Sequence, residues 1–435
     1  MSPWHVIAQI GNDDYQPVIP PEDARFVATI DKPGGEHSVT QHLLSEVFKE
    51  GLVPSEAAID LVHLAAMVCT ADVRIWRGYS EDAWTRNITL HFPVMQPALW
   101  NAAVPVLTEL LSFLTGDEWD LQFRKKAPPD AIKVGESSLI QPQAACLFSG
   151  GLDSFVGAID LLATGAHVAL VGHYGNKRDQ APVFESLKPS YEHQMLPFWF
   201  YLVPPKMNKD QIVESTMRAR SLLFLSLGTA VASAIAPNAP LYIPENGPIS
   251  LNIPLTFGRA GTHSTRTTHP HTINLFRRLL SALGIDVVLC TPYRFLTKGE
   301  MLRDCKNQTA LNAGVHSTIS CSSPQAGRFF GRPVGQHCGY CVPCIIRRAS
   351  LRVVGLDCEP HHVDVLDPSI EAKTAAGCDK RAFLMAIARV QKMTPLEIIA
   401  ELLSAGPVDS DEIDDLAAVF RRGLDEVEHF MRGTP

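Results

Sequence analysis

The fold is decided by the ten residues 145–154, ACLFSGGLDS. The first four residues are apolar and predict a buried strand, and an apolar helix pattern starts near Leu152. Between them, two adjacent glycines let the backbone turn sharply and bring its N–H groups close to an anion. The start of the helix adds a partial positive charge at the same point. The stretch therefore predicts a strand, a pyrophosphate-binding turn and a helix.

The polar side chains of this turn suit a polyphosphate. Ser149 and Ser154 can donate hydroxyl hydrogen bonds to phosphate oxygens. Asp153 is best explained as a Mg²⁺ ligand, because an unpartnered carboxylate would repel a phosphate. The turn has neither the lysine of the Walker pattern nor the three spaced glycines of the dinucleotide pattern. The alternative is a helix capped by Ser or Asp after a Gly-Gly turn, with no ligand.

The surrounding segment alternates short apolar runs with longer helical patterns. The predicted strands are Ala144–Phe148, Val168–His173, Phe198–Val203, Leu241–Ile243 and Asp286–Cys290. The predicted helices begin near Leu152, Gln180, Gln211 and His271. This rhythm predicts an α/β fold with a parallel sheet covered on both faces, in which ligands bind beyond the carboxyl ends of the strands.

Shifts in composition divide the chain into three predicted domains. Residues 1–140 combine a helical pattern at 57–66 with an alternating run at 87–92, which predicts an N-terminal α+β domain. Residues 141–350 hold the predicted parallel sheet. Residues 351–435 form a predicted C-terminal helical segment, with amphipathic patterns at Arg381–Val390 and Asp411–Met431 and no visible chemistry.

Composition limits the classes of partner. The 435 residues carry 38 Lys and Arg against 46 Asp and Glu, a formal charge of −8. Without a global cationic field, a nucleic acid would need a local basic patch, so the charge favours a protein partner. The start of the chain has no secretory pattern, and the most apolar helical stretch, Ser221–Ala236, is shorter than the roughly 20 residues of a membrane span. We therefore expect a cytoplasmic protein with no membrane partner.

Four of the ten cysteines have the spacing of metal ligands. Cys338, Cys341 and Cys344 lie three residues apart, and Cys321 lies upstream. Four thiolates suit a closed tetrahedral zinc site, which would fasten the loop 322–337 onto the sheet as a structural element. The alternatives are a helical turn that happens to carry cysteines and an iron–sulfur cluster on three of these thiols.

The turn and the cysteines together resemble a known family. The SGGLDS turn resembles the SGGxDS loop of ATP pyrophosphatases, the PP-loop or adenine-nucleotide alpha hydrolase fold shared by asparagine synthetase, GMP synthetase, NAD synthetase and QueC. With TISC at 318–321 and CGYCVPC at 338–344, the pattern is close to that of QueC, the 7-cyano-7-deazaguanine synthase. LTKGEM at 296–301 and RSLLFLS at 220–226 resemble two further segments of that family, and the likeness covers roughly residues 144–350.

The resemblance implies ATP cleavage between the α and β phosphates, which leaves an adenylated substrate and pyrophosphate. By position, Lys298 would neutralise phosphate charge in the transition state, and Arg220 would face the nucleotide. The implied nucleotide-binding residues are Ser149, Gly150, Gly151, Leu152, Asp153, Ser154, Arg220 and Lys298. Of these, Asp153, Lys298 and Ser149 are the catalytic candidates. The alternatives are a solvated lysine at a helix start for Lys298 and a surface ion pair for Arg220.

A polar insertion follows the fourth predicted strand. It contains Glu245 and Asn246, then the run 259–270 with two Arg, two His and five hydroxyl side chains. A substrate or leaving phosphate should lie at this edge of the sheet. The substrate-binding candidates are Glu245, Asn246, Arg259, His263 and Arg266. The alternative is a solvated polar loop, and the run Asn176–Asp179 after the second strand is similarly placed.

The flanking segments have no counterpart in ordinary QueC, and the extended architecture resembles the QueC-like proteins of anti-phage operons such as QatC. That resemblance implies a protein partner from the same operon and a role in defence. Our leading hypothesis is an ATP-dependent carbon–nitrogen ligase that adenylates a 7-carboxy-7-deazaguanine-like carboxylate and transfers it to ammonia or to a protein amine. The rivals are thiolation of an adenylated tRNA base and a non-catalytic scaffold that senses ATP.

Overall fold

The computed structural model describes residues 3–31, 37–127, 133–173, 177–206, 212–214, 216, 218–256, 266–324, 326–329, 331 and 335–433. Two β-sheets and the helices packed on them form an α/β protein, as the sequence predicts.

The N-terminal region contains the first of the two sheets. Its strands are β1 (Trp4–Ile10), β2 (Ala24–Ile30), β3 (Thr40–His42), β4 (Asn87–Val94) and β5 (Glu118–Lys125). Its helices are α1 (Ser45–Lys49), α2 (Glu56–Arg74) and α3 (Pro97–Thr115). Four strands pair in the order β2-β1-β4-β5, and all of these pairings are parallel.

The predicted α+β character of this region is therefore wrong, although the predicted helix and strand are confirmed within the longer α2 and β4. Parallel neighbours need a crossover, and α3 supplies it between β4 and β5. The sequence pattern of single elements does not reveal the direction in which they pair.

The second sheet contains the five predicted strands, each within three residues of its expected bounds. They are β6 (Ala144–Leu147), β7 (Val168–His173), β8 (Met195–Val203), β9 (Ala239–Tyr242) and β10 (Val287–Cys290). The sheet order is β10-β9-β6-β7-β8-β3. The five strands are parallel, whereas β3 from the N-terminal region pairs antiparallel with β8, so the sheet is mixed.

Helices cover both faces of this sheet. They are α4 (Leu152–Leu162), α5 (Lys177–Tyr191), α6 (Arg220–Ile235), α7 (Gly247–Leu251) and α8 (Pro270–Ala282). The helix expected near Gln211 begins at Arg220 instead, and Gln211 itself lies outside the described residues. On one face, α2 packs on α6 and α3 packs on α8, so the N-terminal helices share a hydrophobic core with the second sheet.

One described helix, α3, is long and apolar enough to cross a membrane by length and composition. It packs against β5 and α8, and Trp100, Leu107 and Leu110 are buried in the shared core. The stretch that the sequence singled out, Ser221–Ala236, forms the core helix α6.

The remaining helices follow β10. They are α9 (Lys298–Arg303), α10 (Gln308–Gly314), α11 (Val342–Val353), α12 (Ala375–Val390), α13 (Pro395–Ala405) and α14 (Ile413–Met431). The predicted helices at 381–390 and 411–431 are confirmed. Helix α14 packs against α11, α7, α12 and α13. The C-terminal helices therefore contact the helix that contains Cys344 and the helix that follows β9.

Strand order fixes the place where a ligand would bind. From β6 the chain adds β7 and β8 on one side, and then returns to add β9 and β10 on the other side. The direction of winding thus reverses between β6 and β9. In open parallel sheets, ligands bind beyond the carboxyl ends of the strands at such a switch point. Here those two ends lead into residues 148–154 and 243–246.

Candidate functional site

The turn after β6 has the backbone that its glycines predict. Gly150 has a φ of 80°, in the left-handed region that favours glycine, and Gly151 is the N-cap of α4. The N-cap position is a glycine and makes no side-chain cap hydrogen bond, so the part of the alternative in which a Ser or Asp is the N-cap residue is wrong. The Ser154 hydroxyl donates to the Gly151 carbonyl oxygen at 2.9 Å, and the Ser149 and Ser154 oxygens lie 3.3 Å apart. The two predicted hydroxyls therefore share one side of the turn.

A second segment, Thr318–Cys321, lies against this turn. The N–H of Ile319 donates to the Gly150 carbonyl oxygen at 3.1 Å. The Leu152 N–H donates to Ser320 Oγ at 3.2 Å. Ser320 immediately precedes Cys321, so the segment connects the glycine turn to the cysteine cluster.

Asp153 lies in a buried polar cluster at the switch point. Its Oδ1 is 2.8 Å from Lys298 Nζ, and its Oδ2 accepts a hydrogen bond from Asn246 Nδ2 at 2.6 Å. Asp153, Asn246 and Lys298 are at most 6% exposed. The three come from α4, from the N-cap of α7 and from the first turn of α9, where Thr297 and Glu300 form a capping box. The structure thus brings together three of the predicted site residues.

Glu245 completes the cluster. Burial and the neighbouring Asp153 raise the pKa of Glu245 to about 8, against the opposing effect of Lys298. Asp153 Oδ1 receives no hydrogen bond of good geometry within the described chain, only the ion pair with Lys298. Asp153, and Glu245 once it is deprotonated, would offer the hard oxygen ligands that a cation such as Mg²⁺ prefers.

Arg220 begins α6 at the carboxyl end of the sheet, as its predicted role requires. Its guanidinium lies 5.2 Å from the centre of the Phe224 ring. Burial, and to a smaller extent the charge of Arg220, lowers the pKa of His173 at the end of β7. Arg220 also interacts electrostatically with Cys69 of α2, so it lies between the end of β7 and the N-terminal helix.

Of the substrate-binding candidates in the polar run 259–270, only Arg266 lies within the described residues. Arg259 and His263 lie outside the described residues, as do Asn176 and the side chains of 177–179. Arg266 donates to the Phe113 carbonyl oxygen at 3.0 Å and stacks on the Phe113 ring at 4.3 Å. The structure therefore places Arg266 against α3 of the N-terminal region, and its predicted substrate contact stays a prediction.

The four predicted metal-ligating cysteines converge. Their sulfurs all lie within 4.8 Å of one another, with 3.9 Å between Cys321 and Cys341 and 3.8 Å between Cys338 and Cys344. A tetrahedron with metal–sulfur distances of about 2.3 Å has edges of about 3.8 Å. The cluster could therefore hold one metal ion such as zinc.

Local backbone supports this arrangement. Gly339 has a φ of 87°, and a side chain there would collide with the Val363 carbonyl oxygen. The Cys341 N–H points at Cys338 Sγ at 3.3 Å. Cys338 and Cys341 precede α11 and only Cys344 lies inside it, so the alternative of a helical turn carrying the cysteines is wrong.

A cavity of about 620 Å³ opens beside the cluster. Asn246 and Lys298 lie at its polar end, and Tyr340 and Cys341 form the wall next to the metal site. The apolar walls come from α7 and from the C-terminal helices: Ile249, Ile253, Phe383, Phe420, Leu424 and Val427. The sequence predicts no chemistry in the C-terminal segment, and its amphipathic pattern shows an apolar face without showing what that face covers.

Glu426 of α14 is a site residue that the sequence analysis misses. Its carboxylate accepts from the Thr297 hydroxyl and from the Gly299 N–H, the latter at 3.3 Å. Both donors belong to the start of α9, where Lys298 lies between them. The C-terminal segment therefore helps to position Lys298.

The fold and the site define an α/β protein with a glycine turn at the switch point of a mixed sheet and a four-cysteine cluster beside it. Comparisons with models of protein families, with curated proteins and with solved structures find no match.

Proposed function

We propose that the chain is an ATP-dependent enzyme that activates a carboxylate by adenylation and releases pyrophosphate. The observation that carries this proposal is the glycine turn at the switch point, with Lys298 and Asp153 paired at 2.8 Å beside it. A turn of this kind presents N–H groups and the positive end of α4 to an anion. A carboxylate is a poor electrophile at neutral pH, whereas an acyl-adenylate carries a good leaving group.

Each residue of the cluster has a role in this proposal. The hydroxyls of Ser149 and Ser154 bind the β and γ phosphates, together with N–H groups of the turn. In the structure, the Gly151 and Leu152 N–H groups donate to Ser149 Oγ and Ser320 Oγ, and a phosphate would replace these acceptors. Lys298 moves from its ion pair with Asp153 toward the phosphate charge that develops as the bond between the α and β phosphates breaks. Asp153 and Glu245 would hold a Mg²⁺ ion, which when bound neutralises polyphosphate charge.

The cavity between α7 and the C-terminal helices suits the carboxylate substrate. Its volume of about 620 Å³ lies within the usual range for small-molecule sites, and aromatic side chains line it. A 7-carboxy-7-deazaguanine-like compound has a flat apolar ring for Tyr340 and Phe383 and polar edges for Asn246. The cavity reaches Lys298, so a carboxylate at its polar end would meet the α phosphate.

The acceptor is an amine, which gives a carbon–nitrogen bond. Ammonia would yield an amide or a nitrile, and an amine of a partner protein would yield a tagged partner. The partner and a role in anti-phage defence belong to the proposal through the resemblance to extended QueC-like proteins. The metal at the four cysteines is proposed to be structural zinc, because a shell of four thiolates leaves no open position for chemistry.

The rival of tRNA-base thiolation needs a reactive sulfur at the glycine turn. The nearest cysteine in sequence, Cys146, is fully buried in β6, and burial raises its pKa to about 12. The sulfurs of the four clustered cysteines contact one another and are proposed to bind one zinc ion. These observations favour carbon–nitrogen ligation over sulfur transfer.

The test measures AMP and pyrophosphate released by purified protein with Mg-ATP and 7-carboxy-7-deazaguanine, with mass spectrometry of all products. Asp153→Asn should abolish AMP formation. Asp160→Asn is the matched control, because Asp160 lies on the same helix and binds Tyr293 and the Lys306 N–H, away from the site. Equal AMP formation by the wild-type protein and Asp153→Asn would overturn the proposal. ATP binding without AMP formation, with the partner present, would favour the sensing scaffold.

A further inference from the structure

Three side chains outside the glycine turn and the four-cysteine cluster are aligned like a nucleophile, a base and an orienting acid. Cys358 Sγ lies 3.7 Å from His316 Nε2, and His316 Nδ1 lies 3.0 Å from Glu359 Oε1. The side chains of Cys358 and His316 are exposed to solvent, whereas that of Glu359 is 8% exposed. A thiol beside an imidazole whose other nitrogen contacts a carboxylate is the arrangement that activates cysteine nucleophiles.

Glu359 is held firmly in its orienting position. Arg347 Nη2 donates to its Oε1 at 2.5 Å, and His337 Nδ1 lies 3.1 Å from its Oε2. Arg347 is itself fully buried and also donates to Thr318 Oγ1 at 2.6 Å. Against the opposing effect of burial, the hydrogen bond from His337 and the charge of Arg347 lower the pKa of Glu359 below its usual range. The carboxylate is therefore available to orient the His316 ring, with Nε2 facing the thiol.

The other cysteines lack this environment. Burial raises the pKa of Cys69, Cys146 and Cys305 to about 12 in each case, which suppresses the thiolate. The four clustered cysteines contact one another. Cys378 is exposed like Cys358, but its sulfur contacts the Ala372 carbonyl oxygen and Arg381 Nη2. The hydrogen bonds of the described residues give an imidazole partner to Cys358 alone among the ten cysteines.

We propose that Cys358 is a nucleophilic thiol, activated by His316, and a site of modification by small hydroperoxides. His316 takes the thiol proton while the sulfur attacks one oxygen of the peroxide. A sulfur–oxygen bond forms and the oxygen–oxygen bond breaks. The leaving hydroxide receives the proton from His316 and departs as water. The sulfur is oxidised by two electrons to a sulfenic acid and the peroxide is reduced, so no further reactant is needed.

The first experiment alkylates the zinc-loaded full chain with limiting iodoacetamide and quantifies each cysteine peptide by mass spectrometry. Cys378 is the internal control in the same sample. Cys358 should react about tenfold faster than Cys378. His316→Gln should reduce the rate at Cys358 to within about twofold of that at Cys378, without changing Cys378. Equal rates at the two cysteines, or a rate at Cys358 that His316→Gln leaves unchanged, would overturn the proposal.

The second experiment exposes the same protein to hydrogen peroxide and traps sulfenic acid with dimedone. The adduct should appear first at Cys358 and should be reduced about tenfold by His316→Gln. Zinc content distinguishes a different role for the pair. Two zinc ions per chain, of which Cys358→Ser loses one, would show that Cys358 and His316 are metal ligands and would overturn the proposal. None of these readouts depends on the proposed use of ATP.

Discussion

Two buried clusters of charged side chains differ in how completely their hydrogen bonds and ion pairs are formed. In the N-terminal region, Asp117 receives hydrogen bonds from the side chains of Arg77 and Arg86 on both carboxylate oxygens, at 2.5 to 3.1 Å. Arg86, fully buried, also donates to Asp72 and to two carbonyl oxygens. At the switch point, Asp153 and Glu245 share a single ammonium, that of Lys298.

The difference separates a structural cluster from a site. In the first cluster the charges balance, two carboxylates against two guanidiniums, and the donors are used. The second cluster is unbalanced in its groups: it has two carboxyl groups for one ammonium, the pKa of Glu245 is raised to about 8, and among the described residues Asp153 Oδ1 has only its ion pair. A fold tolerates such an incompletely paired set of buried carboxyl groups where a ligand completes it, and groups with perturbed pKa values concentrate at functional sites. We therefore expect the same side-chain chemistry to serve stability in the N-terminal region and, under the proposed function, ligand binding at the switch point.

The sharpest test of this comparison removes charge from the balanced cluster. Asp117→Asn leaves Arg77 and Arg86 buried with one carboxylate between them, which should lower the free energy of unfolding by about 3–5 kcal/mol. Urea denaturation followed by circular dichroism measures it. Asp304→Asn is the surface control, because Asp304 pairs with Arg303 in solvent, and it should change stability by at most about 1 kcal/mol. Similar losses in the free energy of unfolding of the two variants would contradict a structural role of the buried cluster.

In the unbalanced cluster, a substitution should reduce the rate of AMP formation more than it reduces stability. Lys298→Met keeps the length of the side chain and removes its charge, so AMP formation should fall about 100- to 1,000-fold, equivalent to about 2.7–4 kcal/mol of transition-state stabilisation. Steady-state AMP release measures it, with a thermal melt to confirm folding. A variant that keeps more than half of the wild-type rate would contradict the role given to Lys298.

A ligand that completes the unbalanced cluster should stabilise the whole protein. Mg-ATP at about 100 times its dissociation constant should add about 2.7 kcal/mol to the free energy of unfolding. Denaturation with and without Mg-ATP measures the gain, and Asp153→Asn should remove most of it. ATP with EDTA is the control for the metal. Equal stabilisation of the wild-type protein and the variant would place the nucleotide elsewhere.

The smallest effect should come from the same chemical change as in the first test, made in the other cluster. Asp153→Asn loses an ion pair, but it also removes the charge that keeps Glu245 protonated, so Glu245 can ionise and pair with Lys298 instead. These two changes oppose each other, so the free energy of unfolding should shift by less than about 1 kcal/mol. A loss of 3 kcal/mol or more, as large as that expected for Asp117→Asn, would mean that both clusters are structural.

The sequence predicts the parts of the site that lie close together along the chain. Residues 145–154 contain the strand, the turn and the helix in one run, and the structure confirms them. The spacing of Cys338, Cys341 and Cys344 is likewise local, and Cys321 joins them in space as predicted. Local patterns suffice here because a short stretch of backbone sets the geometry.

Long-range contacts could not be predicted in the same way. Arg266 stacks on Phe113, 153 residues away along the chain, although its neighbours in sequence gave it a polar, substrate-facing character. Glu426 reaches the start of α9 across 127 residues from Gly299. The apolar face of an amphipathic helix such as α14 predicts that this face is buried. It does not predict which of several surfaces of similar hydrophobicity covers the face. The partner is decided by packing of the whole chain.

The short strand β3 has a consequence for how the chain can be divided. Strand β8, MLPFWFYLV, carries no charged side chain, and Thr40–His42 pairs with Tyr201–Val203 at its outer edge. Uncharged aromatic and β-branched strands with a free edge are templates for intermolecular pairing. Expression from residue 141 onward would uncover that edge and should yield aggregates. We therefore expect the N-terminal region, by covering this edge, to protect the second sheet from aggregation.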